Sequence, residues 1–193
     1  MEMSSEIPQN LIDELAAHYR AIIEILGEDP EREGLFRTPE RAARAMLYAT
    51  RGYGQSVDDV VNGALFEASE QQLVVVKDIE FYSLCEHHIL PFFGHVSIGY
   101  LPDKKIVGLS KVARLVDMFA RRLQVQERMT SELADVLMET LGAKGIIVRT
   151  EARHLCMAMR GVQKQESATV TVATRGVLRS DVSLRQEFFA SLK

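Results

Sequence analysis

The segment SLCEHHILPFFGH, from Ser83 to His95, holds one of the chain's two cysteines and three of its five histidines. Within it Cys85 and His88 form a C-x-x-H pair. At that spacing a turn or short helical segment points both side chains at one centre, and thiolate with imidazole suits zinc. Two ligands hold a metal weakly, so a third is expected from elsewhere, and the other cysteine is Cys156. It lies in RHLCMAMRG, which reads as an extended segment. Period-two alternation then puts His154, Cys156, Ala158 and Arg160 on one face, and Leu155, Met157 and Met159 on the other, towards a core. A polar stripe of this kind is costly to bury without partners. Cys, His and Cys, with His87 and His154 beside them, make three protein ligands and an open position, which is the pattern of catalytic zinc. The same residues also fit a chain without metal. Both cysteines are then small core residues, and His87 and His88 lie at the surface. His95 heads an alternating strand and fits a plain hydrogen-bonding role.

The chain that must position these groups has 193 residues, 47% hydrophobic and 26% charged, with a net charge of -4. That length supports one domain with a substantial core. The negative balance argues against a general nucleic-acid binder but leaves room for a local basic pocket. No apolar run approaches the length of about 18 residues that a spanning helix needs. MEMSSEIPQN lacks the basic-then-apolar order of a secretory signal. A cytoplasmic protein is expected, with both cysteines as thiols.

Leu11, Leu15, Tyr19, Ile22 and Leu26 recur at helical spacing and predict a helix over residues 11–26, with Asn10 as N-cap and Gly27 as its stop. Thr38 followed by Pro39 predicts a second helix with Thr38 as N-cap, running to about residue 50. Strands are predicted over residues 72–81, 95–100, 146–148 and 167–174. A third helix follows Ser110 as N-cap, a fourth covers residues 125–141 and stops at Gly142, and a short one covers 182–192. This order predicts an α+β domain, an antiparallel sheet with helices packed on one face. Its sheet edges and open face point to oligomerisation.

Four stretches carry a more specific resemblance. SLCEHHILPFFGHVSIGY, GLSKVARLVDMFARRLQVQERMT and EARHLCMAMRGV closely resemble the GTP cyclohydrolase I family, and GLFRTPERAARAM resembles its N-terminal helical part. The similarity runs from about residue 10 to the C-terminus. It implies one domain over residues 1–193, with a helical part at 1–65 and a catalytic part at 66–193 in the tunnelling fold (T-fold). Two pentamers of that fold would stack into a toroidal homodecamer with active sites at subunit interfaces. The implied reaction converts GTP and water to 7,8-dihydroneopterin triphosphate and formate, opening tetrahydrofolate or pterin biosynthesis.

The resemblance also implies roles. Cys85, His88 and Cys156 would hold one Zn2+ per subunit. His154 would supply a proton to N7 of the purine, and His87 would act as acid and base at the ribose, assisted by the Ser110 hydroxyl. Glu127 would bridge two guanine N–H donors, with Gln126 beside it in the catalytic group. Lys111, Arg114 and Arg160 would clamp the triphosphate near a helix N-terminus. From their places in the sequence alone, Arg41 in TPERAA is a further candidate phosphate contact from a neighbouring chain, and Glu86, between the expected metal and acid–base residues, is expected to orient an imidazole or thiolate beside it. Taken singly, each basic residue is equally a solvated surface charge. Two other readings stay open: another tunnelling-fold purine or pterin enzyme, and a zinc-stabilised nucleotide-binding protein without turnover.

Overall fold

The computed structural model describes residues 7–193; the first six, part of the stretch read for a secretory signal, lie outside the described residues. The chain divides into two compact units, the first ending at Arg51 and the second spanning Gly52–Lys193.

In the first unit, α1 (Gln9–Ile25) packs against α2 (Thr38–Ala49), and Ile12 and Ala43 are fully buried. Both predicted N-caps move. Pro8 occupies the N-cap of α1, its carbonyl accepting from the amides of Leu11 and Ile12, so Asn10 lies inside the first turn. Arg37 is the N-cap of α2, and Thr38 is already helical. The chain enters α2 from a run of turns in which the Thr38 amide donates to the Leu35 carbonyl. An N-cap side chain works from an extended residue, and no such residue precedes this helix. Gly27 follows α1 at φ +86, as a helix stop requires.

The second unit carries, in chain order, α3 (Val57–Val61), β1 (Leu65–Glu67), β2 (Val74–Cys85), β3 (Leu90–Leu101), β4 (Lys105–Val107), α4 (Leu109–Ala120), β5 (Leu123–Gln124), α5 (Gln126–Leu141), β6 (Gly145–His154), α6 (Leu155–Ala158), β7 (Thr169–Gly176) and α7 (Val182–Ser191). The division between units falls ahead of α3, whose Val60 and Val61 are buried in the core of the larger unit. The main sheet has the order β5-β2-β3-β6-β7. β2, β3, β6 and β7 are antiparallel, as expected, whereas short β5 runs parallel to the Cys85 end of β2. β1 and β4 form a separate two-stranded ribbon.

The sheet and the two long helices are built on opposite periodicities. Val112, Leu115, Val116 and Phe119 of α4, with Met129, Leu133, Leu137 and Leu141 of α5, recur at three and four residues and form one buried stripe on each helix. They meet Phe81, Phe92, Val96, Ile98, Tyr100, Ile146 and Val148 on one face of the sheet. Each such fully buried side chain contributes about 1.5–3 kcal/mol. Ile147 points the other way and joins a second cluster with Leu178 and Phe188, so α7 covers the end of the opposite face. Gly99 makes that approach possible: a Cβ there would sit 2.7 Å from the Phe188 ring. The helix-covered face thus supports the rim where β2 and β6 end and β3 begins. This α+β arrangement is that of a T-fold.

Candidate metal centre and active site

β2 ends at Cys85 and β3 begins at Leu90, and these two residues pair across the hairpin. Four residues must therefore reverse the chain. The Ile89 amide donates to the Cys85 carbonyl at 2.8 Å, and Ile89 takes φ +54 to close the turn. That turn presents His87 and His88 in the open while Cys85 stays buried. His88 Nδ1 lies 4.0 Å and His87 Nδ1 3.8 Å from Cys85 Sγ.

The register Phe92↔His154 brings the end of β6 to the same rim. Here the extended reading of RHLCMAMRG fails. The strand stops at His154, and residues Leu155–Ala158 form the helical turn α6, closed by the Met159 amide on the Leu155 carbonyl at 3.0 Å. Met159 is exposed, not in the core. Geometry explains the break. A continued strand would carry Cys156 opposite Leu90, two strand spacings or about 10 Å from Cys85. With the turn, ligand atoms of Cys85, His88 and Cys156 all lie within 4.8 Å of one another.

These three residues could hold a metal ion. Zinc with thiolate and imidazole ligands at about 2.0–2.3 Å requires ligand atoms roughly 3.5 Å apart, close to what the cluster offers. Burial, and then the neighbouring Cys85 sulfur, push the Cys156 thiol above its usual range, with Arg160 opposing. A divalent cation bound there would reverse that balance by stabilising the Cys156 thiolate.

His154 stands beside the cluster. Its ring stacks on Phe92 with centroids 4.6 Å apart and planes 1° from parallel. Its Nε2 lies 2.8 Å from Gln126 Oε1. Burial lowers the imidazole's affinity for a proton, and Glu127 partly restores it. Gln126, the first residue of α5, is buried, and its Nε2 donates to the carbonyls of Thr150 (3.2 Å) and Thr169 (3.0 Å) and to Thr171 Oγ1 (3.2 Å). Glu127 follows it and is exposed.

Glu86 faces α5: Arg128 Nη2 lies 2.5 Å from its Oε2. This contact holds the Glu86 carboxyl below its usual range. Arg128 also donates to Gln124 Oε1 and the Leu123 carbonyl. Neither Arg128 nor Phe92 stands out in the sequence, since an arginine on a helix and a phenylalanine on a strand are ordinary there. The alternating threonines of β7 were the one visible trace of Gln126's surroundings.

Ser110 does not cap α4. Gly108 is the N-cap, and Ser110 is the second helical residue, exposed and without a capping bond. The Lys111 amide donates to the Gly108 carbonyl at 2.8 Å, so the helix starts two residues earlier than expected. Lys111 and exposed Arg114 lie on the same first turns. Among the described residues, no hydrogen bond or ion pair ties Ser110, Lys111 or Arg114 to the cysteine rim. Arg160 follows α6 and is near enough to Cys156 to act on its thiol. Arg41 lies on α2 of the first unit, exposed.

The model of the family described as GTP cyclohydrolase I matches residues 15–193. The GTP cyclohydrolase 1 of Campylobacter jejuni is 54% identical over 171 residues, covering 89% of this chain and 90% of that protein. That of Pseudoalteromonas atlantica is 54% identical over 176 residues, covering 91% and 96%. The Drosophila melanogaster GTP cyclohydrolase 1 is 54% identical over 178 residues, but this chain spans 55% of its length. Among solved structures, the archaeosine synthase QueF-Like in the apo form matches 56% of this chain and 97% of its own at 18% identity and a TM-score of 0.45, too distant to bear on function. By the extent of these matches, the chain belongs to the GTP cyclohydrolase I family.

Proposed function

We propose that this chain converts GTP and water to 7,8-dihydroneopterin triphosphate and formate, a step that feeds tetrahydrofolate or pterin synthesis. The observation that carries this reading is the convergence of Cys85, His88 and Cys156 with His154 at one rim, in a chain matched to the family over residues 15–193. Cys85, His88 and Cys156 would hold one Zn2+ per subunit, and that ion would supply the Lewis acidity that activates water near neutral pH.

The remaining work belongs to the side chains. His154 gives a proton to N7 as C8 is attacked, and His87 moves protons at the ribose during ring opening, with the Ser110 hydroxyl assisting. The Glu127 carboxylate accepts from N1–H and the exocyclic amine of guanine. Another base would leave it unpaired, which discriminates by about 10⁴-fold or more. Lys111, Arg114 and Arg160 bind the triphosphate, with Arg41 of a neighbouring chain as a further contact. Glu86 acts at one remove, steadying the turn that carries His87 and His88. Gln126 belongs to the same catalytic group.

Among the described residues, Ser110, Lys111 and Arg114 have no bond to the cysteine rim, which supports a site completed between subunits of a homo-oligomer, a decamer of two pentamers. Among the described residues the outer edge of β7 has no partner strand, and β7 carries exposed Val170 and Val172, features that favour strand pairing with another copy. No helix of the described residues is long and apolar enough to cross a membrane. Free thiols at the centre suit a reducing, cytoplasmic setting.

The test is incubation with GTP, following formate and the pterin product with and without a chelator. Chelator-sensitive formation of both is expected. Intact GTP after incubation with zinc-loaded, folded protein would overturn the reading.

A further inference from the structure

The amide of Gln126 can be oriented without reference to hydrogen positions. One end faces the backbone carbonyls of Thr150 and Thr169, groups with no hydrogen to give. That end must be the NH2. The third neighbour agrees. Thr130 Oγ1 lies 2.7 Å from the Gln126 carbonyl, 2.9 Å from Thr150 Oγ1 and 2.7 Å from Thr171 Oγ1. Either hydroxyl can donate in the Thr130–Thr171 contact, and in both cases the Thr171 oxygen keeps a lone pair for Gln126 Nε2. Gln126 Oε1 is then the atom 2.8 Å from His154 Nε2. An amide oxygen only accepts, so Nε2 of His154 carries the hydrogen. The stack on Phe92 sets the plane of the ring, and this bond sets its rotation within the plane. Among the described residues His154 Nδ1 has no hydrogen-bond partner.

We propose that Gln126 is a positioning residue: pinned between the backbones of β6 and β7, it fixes His154 as the Nε2–H tautomer and leaves Nδ1 as the nitrogen that exchanges a proton with substrate. This rests on the reading of His154 as the proton donor to the purine, and it moves Gln126 from a group that touches substrate to one that acts through His154. With Nε2–H committed to the protein, only Nδ1 can pick up and pass on a proton without breaking the bond that holds the ring.

The test has two parts. The first is 15N NMR of histidine-labelled, zinc-loaded protein at about pH 8, where an imidazole is neutral, with the His154 signal identified by its loss in His154→Gln. Nε2 protonated and Nδ1 bare is the expected pattern; the opposite tautomer, or an even mixture, overturns the proposal. The second is Gln126→Leu, which cannot accept from His154. The expected result is kcat lowered by about tenfold or more, KM within about threefold of the parent, unchanged zinc content, and loss of the tautomer preference. An unchanged kcat overturns the proposal, and so does a raised KM with unchanged kcat, which would return Gln126 to direct substrate contact. Should Gln126→Leu fail to fold, the spectrum of the parent protein decides alone. Absence of GTP turnover in the parent would remove the proposed reaction, and the spectrum would still report whether Gln126 sets the tautomer.

Discussion

Arg128 on α5 and Glu86 on the β2–β3 turn form an ion pair, Nη2 to Oε2 at 2.5 Å, that ties the segment carrying His87 and His88 to the helix carrying Gln126 and Glu127. The backbone adds to it, with the Glu86 amide donating to the Gln124 carbonyl at 3.1 Å. Both side chains are exposed enough for solvent to screen them, so the pair contributes little to global stability. Its effect is local. Arg128→Ala is expected to weaken zinc binding by about tenfold or more while the melting temperature barely moves. Competition with a chromophoric chelator measures the first and thermal unfolding the second. Unchanged zinc affinity would make the pair a surface contact only.

The cluster and the histidine beside it separate by substitution. Cys156→Ala should lose zinc and product formation together, because two remaining ligands hold the metal weakly. His154→Ala should keep most of its zinc and form no pterin. Metal analysis beside a formate assay distinguishes the two. If His154→Ala lost metal as fully as Cys156→Ala, His154 would belong among the ligands.

Glu127 is exposed at the first turn of α5, free to meet a base. Glu127→Gln replaces one acceptor with a donor facing the guanine N–H groups. GTP binding should weaken by about tenfold or more, in keeping with about 1–3 kcal/mol for a polar group left unsatisfied. Isothermal titration with GTP measures this, and unchanged affinity would remove Glu127 from base recognition.

Gly99 tests the opposite face. A Cβ at this position would lie 2.7 Å from the Phe188 ring and 2.9 Å from Ile147 Cγ2. Both neighbours are fully buried and have little room to yield. Gly99→Ala should destabilise the protein by about 1–3 kcal/mol through overpacking, read by denaturant unfolding. A neutral result would mean that α7 shifts freely on the sheet.

Much of this molecule was legible before any coordinates. Cys85 and His88 sit three residues apart, and that spacing alone confines them to one turn. The stripes of α4 and α5 follow from apolar residues at three and four residue intervals, and Gly142, at φ +56, stops α5 where the pattern ends. The α+β order of the long helices and main strands follows from the same local signals, whereas the T-fold itself was implied by the family resemblance. These features depend on neighbours along the chain, so the sequence by itself determined them. What it could not decide depends on residues far apart in sequence. Cys156 reaches Cys85 through a helical turn, not the predicted strand, because the pairing of Phe92 with His154 would otherwise leave it two strands away. The partners of Gln126 come from β6 and β7, and that of Glu86 from α5. The N-caps at Asn10, Thr38 and Ser110 failed for a related reason: the direction from which a chain enters a helix is set by what the preceding segment packs against. Residue type and spacing state which chemistry is available. Strand register and helix entry, which only the tertiary structure decided, state which atoms meet.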